Sequence, residues 1–359
     1  MRCYRTDDRN TLPRPVRLEG GGTTDVTWKY AVSPNLKTCH SGKFYRLCRF
    51  CIHHQDGGMP KRNPRFKRVS TVPAMWLADR DWQIIKLVHR HRFLRSDQII
   101  SFIGGSRQQI LRRLKLLFHH GYLERPRAQL VRREHGGTNK IVYGLGRKGG
   151  VILRQQFGLT VNSYSWSERN HVFGRIYLDH ALFVADVMVA IELACRKRGD
   201  VQILYDDELS LYTEQQPFRW QVQIQRSMKL GVVPDRLFAL DYTDATGQRE
   251  RAHFFLEADR GTMPVKRHTL SQTSFQRKML AYIATWQQNI HQRQFGINRF
   301  RVLTVTMSTK RVETLVQTCS ELRRGHGLFL FADKSILSND MLSRIWQTGR
   351  PGEMGGLLG

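Results

Sequence analysis

The sequence predicts an α/β protein in two parts: an N-terminal winged helix-turn-helix and a larger mixed-sheet domain. Three observations predict it. Between about residues 75 and 150, three helical patterns precede a two-stranded hairpin. Between about 165 and 348, long helical stripes alternate with short apolar runs of strand length, which makes a mixed sheet with helices on its faces. Finally, 58 Lys and Arg against 30 Asp and Glu give a net charge of +28. That excess runs through the patterned segments, so the folded surfaces themselves are basic.

A field of that sign concentrates polyanions, so nucleic acid is the expected partner and an anionic membrane surface its competitor. No apolar run approaches the ~20 residues that a membrane span requires. Met1 to Glu19 is polar and contains proline, unlike a secretory signal, and the expected location is the cytoplasm. Reduced thiols follow from that location. Residues 1–74 show no sustained period, are rich in Arg, Gly, Pro and Thr, and are read as a basic, largely disordered extension. Translation from Met59 or Met75 would remove much of it. Cys48-x-x-Cys51 has zinc-ligand spacing, with Cys39, His40, His53 and His54 nearby, but a second ligand pair at the usual distance is missing. These are read as unpaired thiols. Cys195 and Cys319 lie in apolar stretches and are read as small core residues.

Order begins near Trp76. Asp79 is placed to cap a first helix that carries Trp82, Ile85, Leu87, Val88 and Phe93. Ser96 caps a second, Asp97 to Ile103, ended by Gly104-Gly105. Ser106 caps a third, Arg107 to His119, with Ile110, Leu114, Leu117 and Phe118 at helical spacing and Gly121 as its stop. A first strand near Tyr122 to Pro126, a turn at Gly136 to Asn139 and a second strand at Lys140 to Leu145 complete the winged-helix order. A helix entering the major groove needs an apolar back and long polar side chains in front. Arg107, Gln108 and Gln109 crowd the N-terminal end of the third helix, where base edges are met. Arg112, Arg113 and Lys115 lie farther along and suit phosphates, as do Arg125, Arg127, Arg132, Arg133 and Lys140 in the wing. The partner expected from this face is double-stranded DNA.

In the second part, a long helix is expected from Asn170 to Arg198, its buried stripe marked by Ile176, Phe183, Val187 and Ile191. Strands follow at Val201 to Tyr205, Val232 to Asp241 and His253 to Ala258, and then a helix at Leu270 to Gln288. Phe275, Met279, Tyr282, Ile283 and Trp286 form that helix's core stripe. A strand at Arg301 to Met307, a helix at Lys310 to Arg323, a strand at Leu328 to Ala332 and a short helix near Leu337 to Trp346 close the domain. Residues 349–359 are expected to be a flexible tail.

Two predicted strands end in carboxylates: Asp235 opens one after Pro234, and Glu257-Ala258-Asp259 ends the next. Hard oxygen ligands brought together at strand ends suit Mg²⁺, which polarises a phosphodiester and activates water. Pro234-Asp235 with Glu257-x-Asp259 resembles the PD-(D/E)xK nuclease core, which implies a restriction-endonuclease-like fold and metal ligands at Asp235, Glu257 and Asp259. The pattern departs where its lysine belongs, because Asp259 stands there. Lys266 in the following loop and Lys278 on the next helix are the substitutes, and Arg260 is adjacent. The first long helix adds Asp179, Asp186 and His180.

From Arg80-Asp81-Trp82, Arg92-Phe93-Leu94, Arg112-Arg113-Leu114, Gly121-Tyr122-Leu123, His180, Pro234-Asp235 and Phe255 to Thr262, residues 76 to about 335 resemble the replication-relaxation family of bacterial plasmids and integrative elements. The resemblance implies origin-like DNA binding in replication or mobilisation, alongside other replication or relaxosome proteins, with His180 at the family's histidine. The alternative is a Mg²⁺-dependent nicking endonuclease or relaxase using Asp235, Glu257, Asp259, His180 and Lys266 or Lys278. A transcriptional repressor on the same fold is a third reading.

Overall fold

The computed structural model describes residues 65–130, 140–158, 174–209, 211 and 218–358. The basic extension with its cysteines, and Arg132 and Arg133, lie almost wholly or entirely outside them.

The first third folds as α1 (Asp79–His91), β1 (Phe93–Arg95), α2 (Ser96–Ile103), α3 (Arg107–His120), β2 (Leu123–Glu124), β3 (Val142–Leu145) and α4 (Arg147–Phe157). Its strands form one small antiparallel sheet in the order β1-β3-β2. Ile84, Ile85, Val88, Ile99, Ile110, Leu114, Leu117 and Leu123 are wholly buried beneath it. Helical spacing therefore finds all three helices, except that Phe93, expected on the first, opens β1 because α1 ends at His91 and Arg92 turns the chain at positive φ. Their caps sit one residue earlier than expected in two cases: Ala78 and Arg95 are the N-cap positions, and Asp81 and Gln98 reach back to bond those backbone N–H groups. Gly121 adopts the left-handed conformation that ends α3. Sequence reasoning misses α4, because Gly149-Gly150 looks like a breaker. The glycine is there for closeness: a Cβ on Gly149 would stand 2.3 Å from the Tyr122 carbonyl oxygen.

Next come α5 (Arg175–Arg198), β4 (Val201–Tyr205), β5 (Trp220–Gln225), β6 (Met228–Val232), β7 (Arg236–Thr243) and β8 (Arg249–Asp259). They are followed by α6 (Phe275–Gln287), α7 (Ile290–Phe295), β9 (Phe300–Thr306), α8 (Thr309–Ser320), β10 (Phe329–Asp333), β11 (Trp346–Thr348) and β12 (Met354–Gly355). Seven strands form a mixed sheet in the order β12-β11-β10-β9-β8-β7-β4. β8, β9 and β10 run parallel, and the other pairings are antiparallel.

Side-chain alternation divides this sheet between two cores. On β8, Phe254, Leu256 and Ala258 face the core under α5, whereas Phe255 faces the core under α6 and α8. Glu257 shares the Phe255 side, which places a carboxylate against α6. α5 serves both parts of the chain. Phe183, Val187, Met188, Ile191 and Cys195 pack on the large sheet, and Ala185 and Val189 pack into the core of the first third.

Four expectations need correction. Ile176 is 77% exposed, because the buried stripe of α5 begins at Leu178. Trp286 is 43% exposed, because α6 ends one residue later and its indole leaves the core that Tyr282 and Ile283 fill. The helix expected at 337–346 is instead a 3₁₀ turn, Lys334–Ser338, followed by β11, since an Asp340 turn intervenes. Residues 349–359 do not form a tail. A turn at Gly352 returns the chain as β12 and buries Leu357. The β5–β6 hairpin is passed over as well, although Trp220, Val222 and Ile224 alternate with Gln221, Gln223 and Gln225 in a clear period of two.

Candidate functional site at the strand ends

The carboxylates singled out from the sequence lie at one end of the sheet, where β7 begins and β8 ends. Asp235 precedes β7, and its backbone N–H donates to the Leu256 carbonyl. Its side chain accepts the Ala258 N–H at 2.8 Å and faces His180 Nε2 at 3.0 Å. His180 comes from the second turn of α5. The hydrogen bond to Asp235 raises its pKa above the ordinary value, against the opposing effect of burial.

Glu257 is almost wholly buried on the Phe255 side of β8. Lys278 Nζ lies 2.5 Å from its Oε2, and the Tyr282 hydroxyl donates to its Oε1 at 2.6 Å. Both partners sit one helical turn apart on α6, so one face of the helix supplies both donors. Burial works against the charge on Lys278, but the Glu257 carboxylate outweighs it and holds the ammonium above its ordinary pKa. Burial pushes the Tyr282 phenol well up, so it stays a donor.

Asp259 is bound differently. Arg311, from the first turn of α8, grips it with Nε to Oδ2 at 2.6 Å and Nη2 to Oδ1 at 3.1 Å. The Gly261 N–H donates at 3.0 Å and the Thr306 hydroxyl at 3.2 Å. Four donors, from Arg311, Gly261 and Thr306, fill both oxygens, and sequence reasoning singles out neither Arg311 nor Thr306.

Of the expected set, His180, Asp235, Glu257 and Lys278 thus share one end of the sheet. Lys266 does not join them; it pairs with Glu321 on the surface. Asp186 is also withdrawn, holding Arg95 at 2.5 Å and Gln98 at 2.8 Å. The oxygens expected to bind Mg²⁺ are engaged by protein groups in this structure. Asp259 is saturated, Glu257 is closed by Lys278 and Tyr282, and Asp235 is shared between His180 and a backbone N–H. Among the described residues, no group of three or more His, Cys, Asp or Glu side chains is placed to hold a metal ion. Protein cations and hydroxyls occupy the oxygens of Asp259 and Glu257 that an ion would need.

The basic residues expected on α3 are divided by the fold. Arg107, Gln108, Gln109, Arg112 and Lys115 are exposed on the side away from Ile110, Leu114 and Leu117. Arg113 is not free. It chelates the wholly buried Asp81 with both Nε and Nη2 and donates to the Trp76 carbonyl. Arg125 is buried, bonded to the Tyr143 hydroxyl at 3.1 Å and to the Arg65 carbonyl at 2.5 Å. Lys140 pairs with Asp97 at 2.5 Å and remains half in solvent, while Arg127 is exposed.

The profile of the family described as replication-relaxation matches residues 85–299, more than half of the chain. The chain belongs to the replication-relaxation family. The matched stretch of this replication-relaxation protein runs from α1 to the residue before β9. It takes in the whole of α3, His180, Asp235, Glu257 and Lys278, and stops short of Thr306 and Arg311. No curated protein and no solved structure matches the chain. Among its described residues, no helix is long and apolar enough to cross a membrane.

Proposed function

We propose that this replication-relaxation protein is a cytoplasmic DNA-binding protein of plasmid or integrative-element replication or mobilisation. In this reading α1–α3 with β1–β3 form a winged helix that takes an origin-like duplex site. The α/β half is a nuclease-like scaffold whose carboxylates serve the fold. The observation that carries the reading is α3, whose apolar face is wholly buried while Arg107, Gln108, Gln109, Arg112 and Lys115 stand together in solvent. The order of elements and the β1-β3-β2 sheet match the winged-helix arrangement. Arg107, Gln108 and Gln109 read base edges; Arg112, Lys115 and Arg127 hold phosphates. Arg113 leaves the phosphate set, because Asp81 holds it. Arg132 and Arg133 belong to the same proposal as wing contacts.

Gel shifts over fragments of the parent element test it. Arg112→Ala is expected to weaken binding to every duplex alike, and Arg107→Ala to relax the preference for one site. Equal affinity for all duplexes in both variants would sink the assignment.

Cleavage stays as a second reading for one reason: Lys278, a substitute for the missing lysine, reaches Glu257 from the following helix. Supercoiled plasmid carrying the origin, incubated with and without Mg²⁺, separates the two readings. The scaffold predicts bound, intact plasmid under both conditions. Metal-dependent open circles that disappear in Asp235→Ala would replace it with a nicking enzyme.

A further inference from the structure

Trp286 closes the core stripe of α6 in the sequence, yet its indole stands 43% exposed at the helix end. Leaving nearly half of a large aromatic side chain in water forgoes part of the stabilisation that its burial would give. The surroundings show what the ring is aimed at. It forms a ridge between two open concavities, of about 460 Å³ on one side and about 850 Å³ on the other. Arg299 and Arg301 line the first; Arg323 and Arg324 line the second. Arg301 donates to the Gly356 carbonyl. Arg299, Arg323 and Arg324 are exposed, and no side-chain hydrogen bond or ion pair holds any of the three among the described residues. Of the acids on the same walls, Glu321 pairs with Lys266 and Asp244 is held by its own turn, while Glu250 lines the first concavity together with Arg251 and Arg299.

We infer that this ridge is a second nucleic-acid site, one that takes single-stranded DNA by stacking an unpaired base on Trp286. The argument is one of charge and shape. Unpaired guanidinium groups on both sides of an exposed indole give a backbone-tracking groove with a stacking platform at its centre. A duplex keeps its bases stacked inward and would use only the arginines, so the indole is matched by unpaired bases. The ridge lies at the end of α6 away from Lys278, beside the starts of β8 and β9 (His253 and Phe300 line its first concavity). Neither concavity is lined by a residue of α3 or of the carboxylate cluster. The inference does not rest on the duplex reading above and fails separately from it.

Fluorescence anisotropy of labelled oligothymidylate with the full chain is the test, with an origin duplex measured in parallel. Trp286→Ala is expected to weaken oligothymidylate binding about ten-fold or more, and Trp286→Phe to retain most of it. Arg323→Glu combined with Arg324→Glu should match the alanine variant, and duplex affinity should be unchanged in Trp286→Ala and Trp286→Phe. Thermal melting of each variant checks the fold. Wild-type protein that ignores oligothymidylate, or a Trp286→Ala variant that binds it normally, overturns the inference. So does a parallel loss of duplex binding. If Trp286→Ala instead splits a self-associated protein in sedimentation, the ridge is a protein interface and the inference falls.

Discussion

Arg112 and Arg113 are neighbours with different duties, and only the fold distinguishes them. Arg113 neutralises the buried Asp81, which also holds the Ala78 N–H at the start of α1. Arg113→Ala is expected to cost about 2–3 kcal/mol in denaturant unfolding, because a buried carboxylate loses its charged partner. Arg112→Ala should change stability by less than about 0.5 kcal/mol while weakening DNA binding. The same stability loss in both would show that Asp81 does not depend on Arg113. Titration is legible at this scale too. Burial among β-strands pushes His253 from its ordinary 6.5 down to about 4. The unfolded chain therefore takes up a proton that the folded one refuses, and stability falls as pH drops from about 6.5 towards 4. His180 runs the other way. Its raised pKa contributes stability that is complete below the ordinary value and is lost as pH rises through the folded one. In melting curves against pH, His253→Gln is expected to flatten the acid limb, and His180→Gln to remove a loss on the neutral side. The sequence displayed Asp235, Glu257 and Asp259 plainly. It did not display Arg311, which reaches Asp259 from 52 residues away, since nothing local marks such a partner.

At the scale of elements, α5 matters most. Its flanks enter two cores at once, and Asp186 adds a polar clasp to Arg95 and Gln98 on the first third. A second clasp is wholly buried: Glu192 accepts from the Tyr205 hydroxyl at 2.6 Å and stands 3.1 Å from His91 Nε2. Burial alone would raise the Glu192 pKa, yet these donors and the nearby Arg90 hold it down. Unfolding of residues 63–359, which form a single compact unit, is therefore expected to be one cooperative calorimetric transition. Ile191→Ala should shift all of it, costing about 2–5 kcal/mol. Two resolved transitions, only one of them moved by the variant, would refute this. Strongly periodic elements such as α3, α5 and α6 were legible in the sequence, because 3.6-residue spacing is a local signal. α4 was not, since its glycines serve a neighbour, and the C-terminal strands were not, since their partners in the sheet lie elsewhere in the chain.

For the whole molecule, the net charge of +28 sets how binding responds to salt. Each phosphate neutralised contributes about −0.9 to the slope of log affinity against log salt. Arg112→Ala combined with Lys115→Ala is therefore expected to make the slope of a specific duplex shallower by about 1.8. An unchanged slope would mean that these side chains never meet phosphate. The charge was readable at once, but its distribution was not, because pairing with Asp81, Asp97, Asp186 and Asp259 removes several cations from service. The shared helix α5 has one last consequence, for descent and for engineering. A recombination event that joined the first third of one relative to the sheet of another would have to match both flanks of α5 at once. Ala185 and Val189 would have to suit one parent, and Val187, Met188 and Ile191 the other. Chimeras cut just before α5 should therefore fail more often than chimeras cut within surface turns, and the two halves should have been passed on together as a single heritable piece.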